Sequence, residues 1–482
     1  MDRRSFIGRA ARLGGAATLG AAGLSACDDR RDSTAERALS VPRMLDGKPG
    51  DAPIDTVVIV MMENRSFDHY LGWLPDDLAY LEAGRRSYGR RFHVAGENDL
   101  VYADPAGTLV NTAPVPAEPD EPRPFRGCDH PIPGHGWFSG RAQRDKGFLA
   151  EGTGNDEFAI GYYSDVDLPF YSQLARRFTV ADQSYASLLA GTFPNRQYLH
   201  AGTSLGRKDD PIPLEAGLFP GPTFWDQLRA AGVSARYYYT DLPVLALWDT
   251  RHFDRISSID EFFDDADRGE LPHVVMIDPG FSGNARSDDH PFGSIRMGQR
   301  FTRSVFDAFA RSSHWEQGLF VLTYDEWGGF FDHLSPPVFP DDLASELDAE
   351  NFAQAGFRVP TIFASPYAQP GFVDHTAYDH TSIMRFLQWR FLGAPATGPG
   401  LTSGAPWWLT LRNRYANNLG TALVTEPRVD LGFDVETPLA RPQPGCVPTI
   451  VGGDDPGSIP NGPQLAGLRA ERFLPATETP WI

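Results

Sequence analysis

Positive charge is in short supply in this chain. Of 482 residues, 43 are Lys or Arg against 63 Asp or Glu, giving a formal net charge of −20 and a pI near 5.0. A nucleic-acid binder needs a basic face, so nucleic acid is excluded as a partner. Cysteine is also scarce: Cys27, Cys128 and Cys446 are all there is. The early apolar stretch at residues 13–26 is too short to span a bilayer, which takes roughly 20 residues. No internal repeat is visible, which argues against a solenoid or propeller. Pro (41) and Gly (48) are plentiful and imply long loops, yet a hydrophobic content of 41% excludes general disorder. The length allows one large domain or two ordinary ones.

The N-terminus reads as an address. Arg3-Arg4-Ser5-Phe6-Ile7 resembles a twin-arginine export signal, although Asp2 and Gly8 depart from the usual flanks, and Leu24-Ser25-Ala26-Cys27 resembles a bacterial lipobox. Residues 1–26 are therefore expected to be a signal peptide read by the twin-arginine machinery, with Cys27 lipidated. Residues 27–53 would be a tether holding the protein to the outer face of the cytoplasmic membrane or elsewhere in the cell envelope. In an exported protein Cys128 and Cys446 are candidates for a disulfide.

The stretch around which the chain is organised begins at Asp55. Residues 57–62 are continuously apolar and rich in β-branched side chains, the pattern of a strand covered on both faces, and the run stops at Glu63-Asn64. A second such run, residues 319–324, stops at Asp325-Glu326 and continues as Trp327-Gly328-Gly329-Phe330-Phe331-Asp332-His333. In an open parallel α/β sheet, ligands gather outside the carboxyl ends of the strands. Two acidic ends at one sheet edge repel unless a cation or a shared proton holds them, so a metal is the economical reading.

In between lies a Pro- and Gly-rich excursion at residues 85–133, followed by Gly134-His135-Gly136-Trp137, a helix near 171–178 and a strand near 178–182. Gly191-Thr192-Phe193-Pro194 opens another helix, which places the Thr192 oxygen at a helix N-terminus where amide N–H groups favour an anion; Arg196 is positioned to contact the same anion. The Thr192 hydroxyl also fits an N-cap. Further strands are expected at 234–239, 273–278 and 359–366, and helices at 223–232, 293–310 and from Asp379 onward. The alternation predicts a doubly wound, mostly parallel α/β sheet over residues 54–416, with long Pro/Gly-rich loop insertions and a loosely packed tail at 417–482.

Six ordered motifs carry a resemblance. Glu63-Asn64-Arg65-Ser66-Phe67-Asp68-His69, Leu168-Pro169-Phe170-Tyr171, Thr192-x-Pro194-Asn195-Arg196, Asp289-His290-Pro291, Tyr324-Asp325-Glu326-x-Gly328-Gly329-x-x-Asp332-His333 and His380-Thr381-Ser382 resemble the bacterial phosphoesterase family of non-specific phospholipases C and acid phosphatases, with an alkaline-phosphatase-like fold. The resemblance implies one cation, a divalent metal or iron, held by Glu63, Asn64, Thr192, Asp325 and Glu326. It implies Thr192 as nucleophile and His135 and His290 as phosphate-contacting or leaving-group histidines, with His130 a competing alignment for His135. It matches His333 and His380 to substrate-binding or bracing positions.

The expected activity is metal-dependent hydrolysis of phosphate esters through a phosphothreonine, phospholipase C-like on phospholipids, with a broad acid phosphatase as the alternative. The reading from another class is an envelope-anchored metal-binding protein. The Thr-x-Pro-x-Arg spacing also occurs in sulfatases, but those need a Cys or Ser that oxidises to an aldehyde, so phosphate is preferred. Trp73, Tyr237, Tyr238, Tyr239, Trp327, Phe330 and Phe331 are expected to line an apolar approach or to pack in the core.

Overall fold

The computed structural model describes residues 42–115, 130–210, 219–248, 250–282, 286–291, 293–398 and 407–428. The export signal and all three cysteines, with the expected disulfide, lie outside the described residues.

An eight-stranded sheet forms the centre. In chain order its strands are β1 Thr56–Met62, β2 Thr179–Ala181, β3 Ala235–Tyr239, β4 Ile256–Ser258, β5 Val274–Asp278, β6 Gly318–Tyr324, β7 Ile362–Ala364 and β8 Val373–Asp374. They lie in the order β8-β2-β7-β6-β1-β5-β3-β4. β1 runs parallel to both neighbours, β6 and β5. All seven residues of β1 and all seven of β6 are buried, the consequence of helices on both faces of an unbroken apolar run. The expected strand at 359–366 exists but runs antiparallel to both β6 and β2, so the sheet is mixed. Strand direction is set by how the connecting loop returns, which an apolar run does not encode.

The helices that frame the site are α1 Phe67–Leu71, α2 Trp137–Lys146, α3 Pro169–Arg177, α4 Thr192–Ala201, α5 Phe224–Ala230, α6 Ile295–Arg311 and α7 His380–Leu392. Their starts follow local chemistry. The Ser66 hydroxyl accepts from His69 N–H at α1, Thr223 and Asp226 form a capping box at α5, and Asp379 with Ser382 forms another at α7. α6 buries Met297, Phe301, Val305, Phe306 and Phe309 on one face, as its helical periodicity requires.

Two expectations need correction. From residue 42 the tether is part of the fold: Met44 is 1% exposed and its N–H donates to Leu423 O at 2.9 Å. The tail likewise packs as far as residue 424, with Leu419, Ala422, Leu423 and Val424 buried against that same segment. Few apolar residues in a Pro/Gly background give no periodicity, so these short contacts were not visible in the sequence. Of the two readings of the aromatics the core one holds: Trp73, Tyr237, Tyr238, Tyr239, Trp327, Phe330 and Phe331 are at most 7% exposed and belong to the main core.

Candidate active site

The register of β1 on β6 sets Met62 opposite Tyr324, so Glu63 and Asp325 leave the sheet side by side. Asp325 N–H donates to Met62 O at 3.0 Å, Asn64 N–H to Asp325 Oδ1 at 3.0 Å and Arg65 N–H to Glu326 O at 3.1 Å, which interlocks the two strand ends. Asn64 takes a left-handed φ of 59°, a conformation asparagine tolerates better than most residues. Gly328, at φ 66°, passes so near that a Cβ there would sit 2.1 Å from Asn64 O. Only glycine fits that approach.

Thr192 is the first residue of α4, with Gly191 as its N-cap, so the threonine hydroxyl is not the cap. Thr192 Oγ1 lies 3.4 Å from both Glu63 Oε2 and Asn64 Oδ1. The anion at this helix N-terminus belongs to the protein: Phe193 N–H donates to Asp210 Oδ1 at 2.6 Å.

His135 Nδ1 meets Pro133 O at 2.8 Å, and its Nε2 meets Asn64 Nδ2 at 3.3 Å. A carbonyl only accepts, so Nδ1 carries the proton and Nε2 accepts from the Asn64 amide. The His290 ring stands 6.4 Å from that of His135. Its backbone N–H donates to Asp288 Oδ1 at 3.1 Å, and burial, with Arg286 and His135 nearby, holds its pKa well below the usual histidine value. The competing His130 pairs with Asp156 at 2.7 Å and stacks on Phe158, which leaves His135 as the site histidine of this segment.

Arg196, expected to contact the anion, is engaged by the protein's own acids. Its guanidinium is 1% exposed and donates to Glu63 Oε1 at 2.8 and 3.1 Å and to Asp278 Oδ1 at 2.8 Å. Burial alone would push its pKa down, but Asp278, Glu63 and Asp325 hold it up. His380 is likewise committed, Nε2 to Tyr324 O at 2.9 Å and Nδ1 to Ser187 Oγ at 3.2 Å, and braces the end of β6. His333 Nδ1 pairs with Asp68 Oδ2 at 2.6 Å. Arg196, His333 and His380 each hold another group of the protein in place, the bracing role that was one of the two expectations for the histidines.

Acids dominate the centre. Glu63, Asp278, Asp288, Asp325, Glu326 and Asp210 are all buried, against Arg196 and Arg286. Burial, and then Asp325, pushes Glu63 well above the usual carboxylate range; burial does the same to Glu326, with Asp325 adding to it and His135 opposing. Asp325 Oδ2 and Glu326 Oε1 are buried and make no hydrogen bond. Asp325 Oδ2 has only the Arg196 guanidinium, at 3.7 Å; with the Asn64 amide oxygen and the Thr192 hydroxyl, these carboxylate oxygens are an all-oxygen donor set of the kind that suits a hard divalent cation.

A second group, Asp68, Asp332 and His333, has ligand atoms within 4.8 Å of one another. Arg358, 0% exposed, donates to Asp68 at 2.9 Å and to Asp332 at 2.9 and 3.1 Å. That guanidinium supplies positive charge to this second group.

Burial also raises Asp278 from 3.8 to about 6 and Asp289 from 3.8 to about 7. Both hold a proton in the folded state over a range where the unfolded chain has lost it. Their contribution to stability therefore falls as pH rises from about 4 to about 7. Asp289→Asn removes the larger of these ionisations, so urea midpoints measured across this window should slope less steeply than those of the wild type.

Asp210, Asp288 and Arg358 were missed because each acts through a fold-level partner. The sequence model of the Phosphoesterase family matches residues 54–392. The chain is 31% identical to non-specific phospholipase C4 of Arabidopsis thaliana over 370 residues, 70% of this chain and 68% of that protein. It is 29% identical to non-hemolytic phospholipase C of Pseudomonas aeruginosa, over 81% of this chain and 60% of the relative. To phospholipase C A of Mycobacterium tuberculosis it is 29% identical over 88% of each. Among solved structures, a protein in the alkaline phosphatase superfamily from Vibrio parahaemolyticus matches with a TM-score of 0.31 at 12% identity, covering 56% of this chain and 70% of that one.

Proposed function

Since the chain belongs to the Phosphoesterase family and is a hydrolase of phosphate esters, we propose that it is a metal-dependent, phospholipase C-like enzyme that cleaves phospholipids through a phosphothreonine at Thr192. The observation that carries this reading is the Thr192 hydroxyl, 3.4 Å from Glu63 and from Asn64 at the shared end of β1 and β6. The names of the curated relatives favour the phospholipid diester over a monoester.

Glu63, Asn64, Thr192, Asp325 and Glu326 would hold the divalent cation or iron. Bound there, such a cation supplies a lowered hydroxyl pKa at Thr192 and neutralises phosphoryl charge. Arg196 fixes Glu63 between Asp278 and the site, so the carboxylate facing Thr192 does not swing. Thr192 Oγ forms the bond to phosphorus as the bond to the glycerol oxygen breaks, and the hydroxyl proton passes to the His290 imidazole. His290, left neutral by burial, hands that proton on to the leaving alcohol, because neutral His135 has its N–H on Pro133 and its lone pair on Asn64. Water then releases the phosphorylated head group and restores the hydroxyl.

One preparation assayed on p-nitrophenyl phosphocholine and on p-nitrophenyl phosphate tests the diester preference. The diester is expected to turn over faster; the reverse order would make the enzyme a phosphomonoesterase. Export by the twin-arginine route and anchoring through Cys27 belong to the same proposal. The mass of the protein from membranes, beginning at a lipidated Cys27, is the test.

A further inference from the structure

Asp289 has no role in the mechanism above, yet it ties the ends of β1 and β6 to α3 and α6. Among the described residues it is one of three non-glycine residues with positive φ, at 70°; Asn64 is another. Its side chain is 0% exposed. Oδ2 accepts from Tyr171 Oη at 2.8 Å, on α3, and from Tyr324 Oη at 2.7 Å, the last residue of β6 and the neighbour of Asp325. Its backbone carbonyl accepts from Arg65 Nε at 2.7 Å, one residue past Asn64. Oδ1 faces Gly298 on α6, where a Cβ would lie 1.8 Å away. The residue that follows is His290.

Backbone strain of this kind persists only where the surroundings over-determine it, and it gathers at functional sites. The over-determination is visible here: two phenol donors on one carboxylate oxygen, an arginine on the carbonyl and a glycine that leaves room for the other oxygen. We propose that Asp289 is a positioning residue, whose clamp on Tyr171 and Tyr324 holds the left-handed turn that sets His290 to protonate the leaving alcohol. The proposal rests on the phosphoesterase reading and adds to it a residue, a turn and a dependence on the leaving group.

A positioning role for the acid makes a prediction that a merely structural role does not. An alkoxide leaves poorly without a proton, whereas p-nitrophenolate leaves readily without one. Asp289→Gly keeps positive φ accessible and removes both acceptors. It should lower kcat on a short-chain phosphatidylcholine by about 100-fold, the scale of general acid catalysis, and on p-nitrophenyl phosphocholine by less than about fivefold. Asp289→Asn tolerates the same φ and still accepts from both tyrosines, so both rates should stay within about threefold of wild type.

Gly298→Ala leaves the clamp residues unchanged but pushes Asp289 aside. Alanine is the better helix former, so loss of helix does not explain a defect there. It should reproduce the leaving-group-selective loss, and it keeps the proposal testable if Asp289→Gly does not fold. Equal losses on the two substrates, or wild-type rates on both in Asp289→Gly and Gly298→Ala, would overturn the positioning role while leaving the phosphoesterase reading intact. A wild-type enzyme that turns over neither substrate overturns both.

Discussion

Thr192→Val is expected to lower turnover of p-nitrophenyl phosphocholine by roughly 10⁴-fold or more, the scale seen when a covalent nucleophile is deleted. Valine keeps the branched shape at the start of α4 and removes only the oxygen. The hydroxyl's partners, Glu63 Oε2 and Asn64 Oδ1, stand at 3.4 Å, long for an O–H···O hydrogen bond. Little stability is therefore stored in them, and urea unfolding should change by no more than about 1 kcal/mol. A dead enzyme with a native melt separates chemistry from folding. Thr192→Ser returns an oxygen to the same place and is expected to recover activity to within about tenfold of wild type.

Glu63→Gln is expected to remove bound cation and activity together, with a rate loss of roughly 10³-fold. Glutamine fits the same space, but Glu63 bridges two demands that an amide does not meet at once. Oε1 accepts from Arg196 at 2.8 and 3.1 Å, and Oε2 faces Thr192. Removing one partner of a buried ion pair costs about 3–5 kcal/mol when the other charge is left bare. Here Asp278, at 2.8 Å, keeps Arg196 paired. Burial already disfavours the ionised form of Glu63. The destabilisation should therefore be smaller, about 2 kcal/mol. Elemental analysis of both proteins beside their rates and melts checks all three expectations.

Much of this site was legible because its supports are local. β1 and β6 are buried on both faces, so they appear as unbroken apolar runs, and the switch to Glu63-Asn64 and Asp325-Glu326 marks where they leave the sheet. The fold class followed from strands and helices in alternation, and the sheet bears it out, with β7 as the strand that runs the other way. What was not legible depends on pairing between distant residues. Arg196 reads as a contact for an anion at the start of its helix, and nothing local announces Asp278, 82 residues later, beside it. The N-terminus of α4 reads as a site for a substrate anion until Asp210 takes its Phe193 N–H. His333 and His380 carry the right motif, yet Asp68 and the Tyr324 carbonyl decide what they do. Leu419, Leu423 and Val424 look like loop until the segment around Met44 covers them. In each case the residue type set what was possible, and the tertiary partner chose among the possibilities.

The account's central claim is that the oxygen between the ends of β1 and β6 becomes covalently phosphorylated. Acid-quenching the enzyme during turnover of p-nitrophenyl phosphocholine and mapping its peptides by mass measures this directly. The predicted result is a single phosphoryl-containing adduct on the peptide that bears Thr192, absent from Thr192→Val. Steady turnover with every peptide unmodified, and with Thr192→Val as fast as wild type, would contradict it.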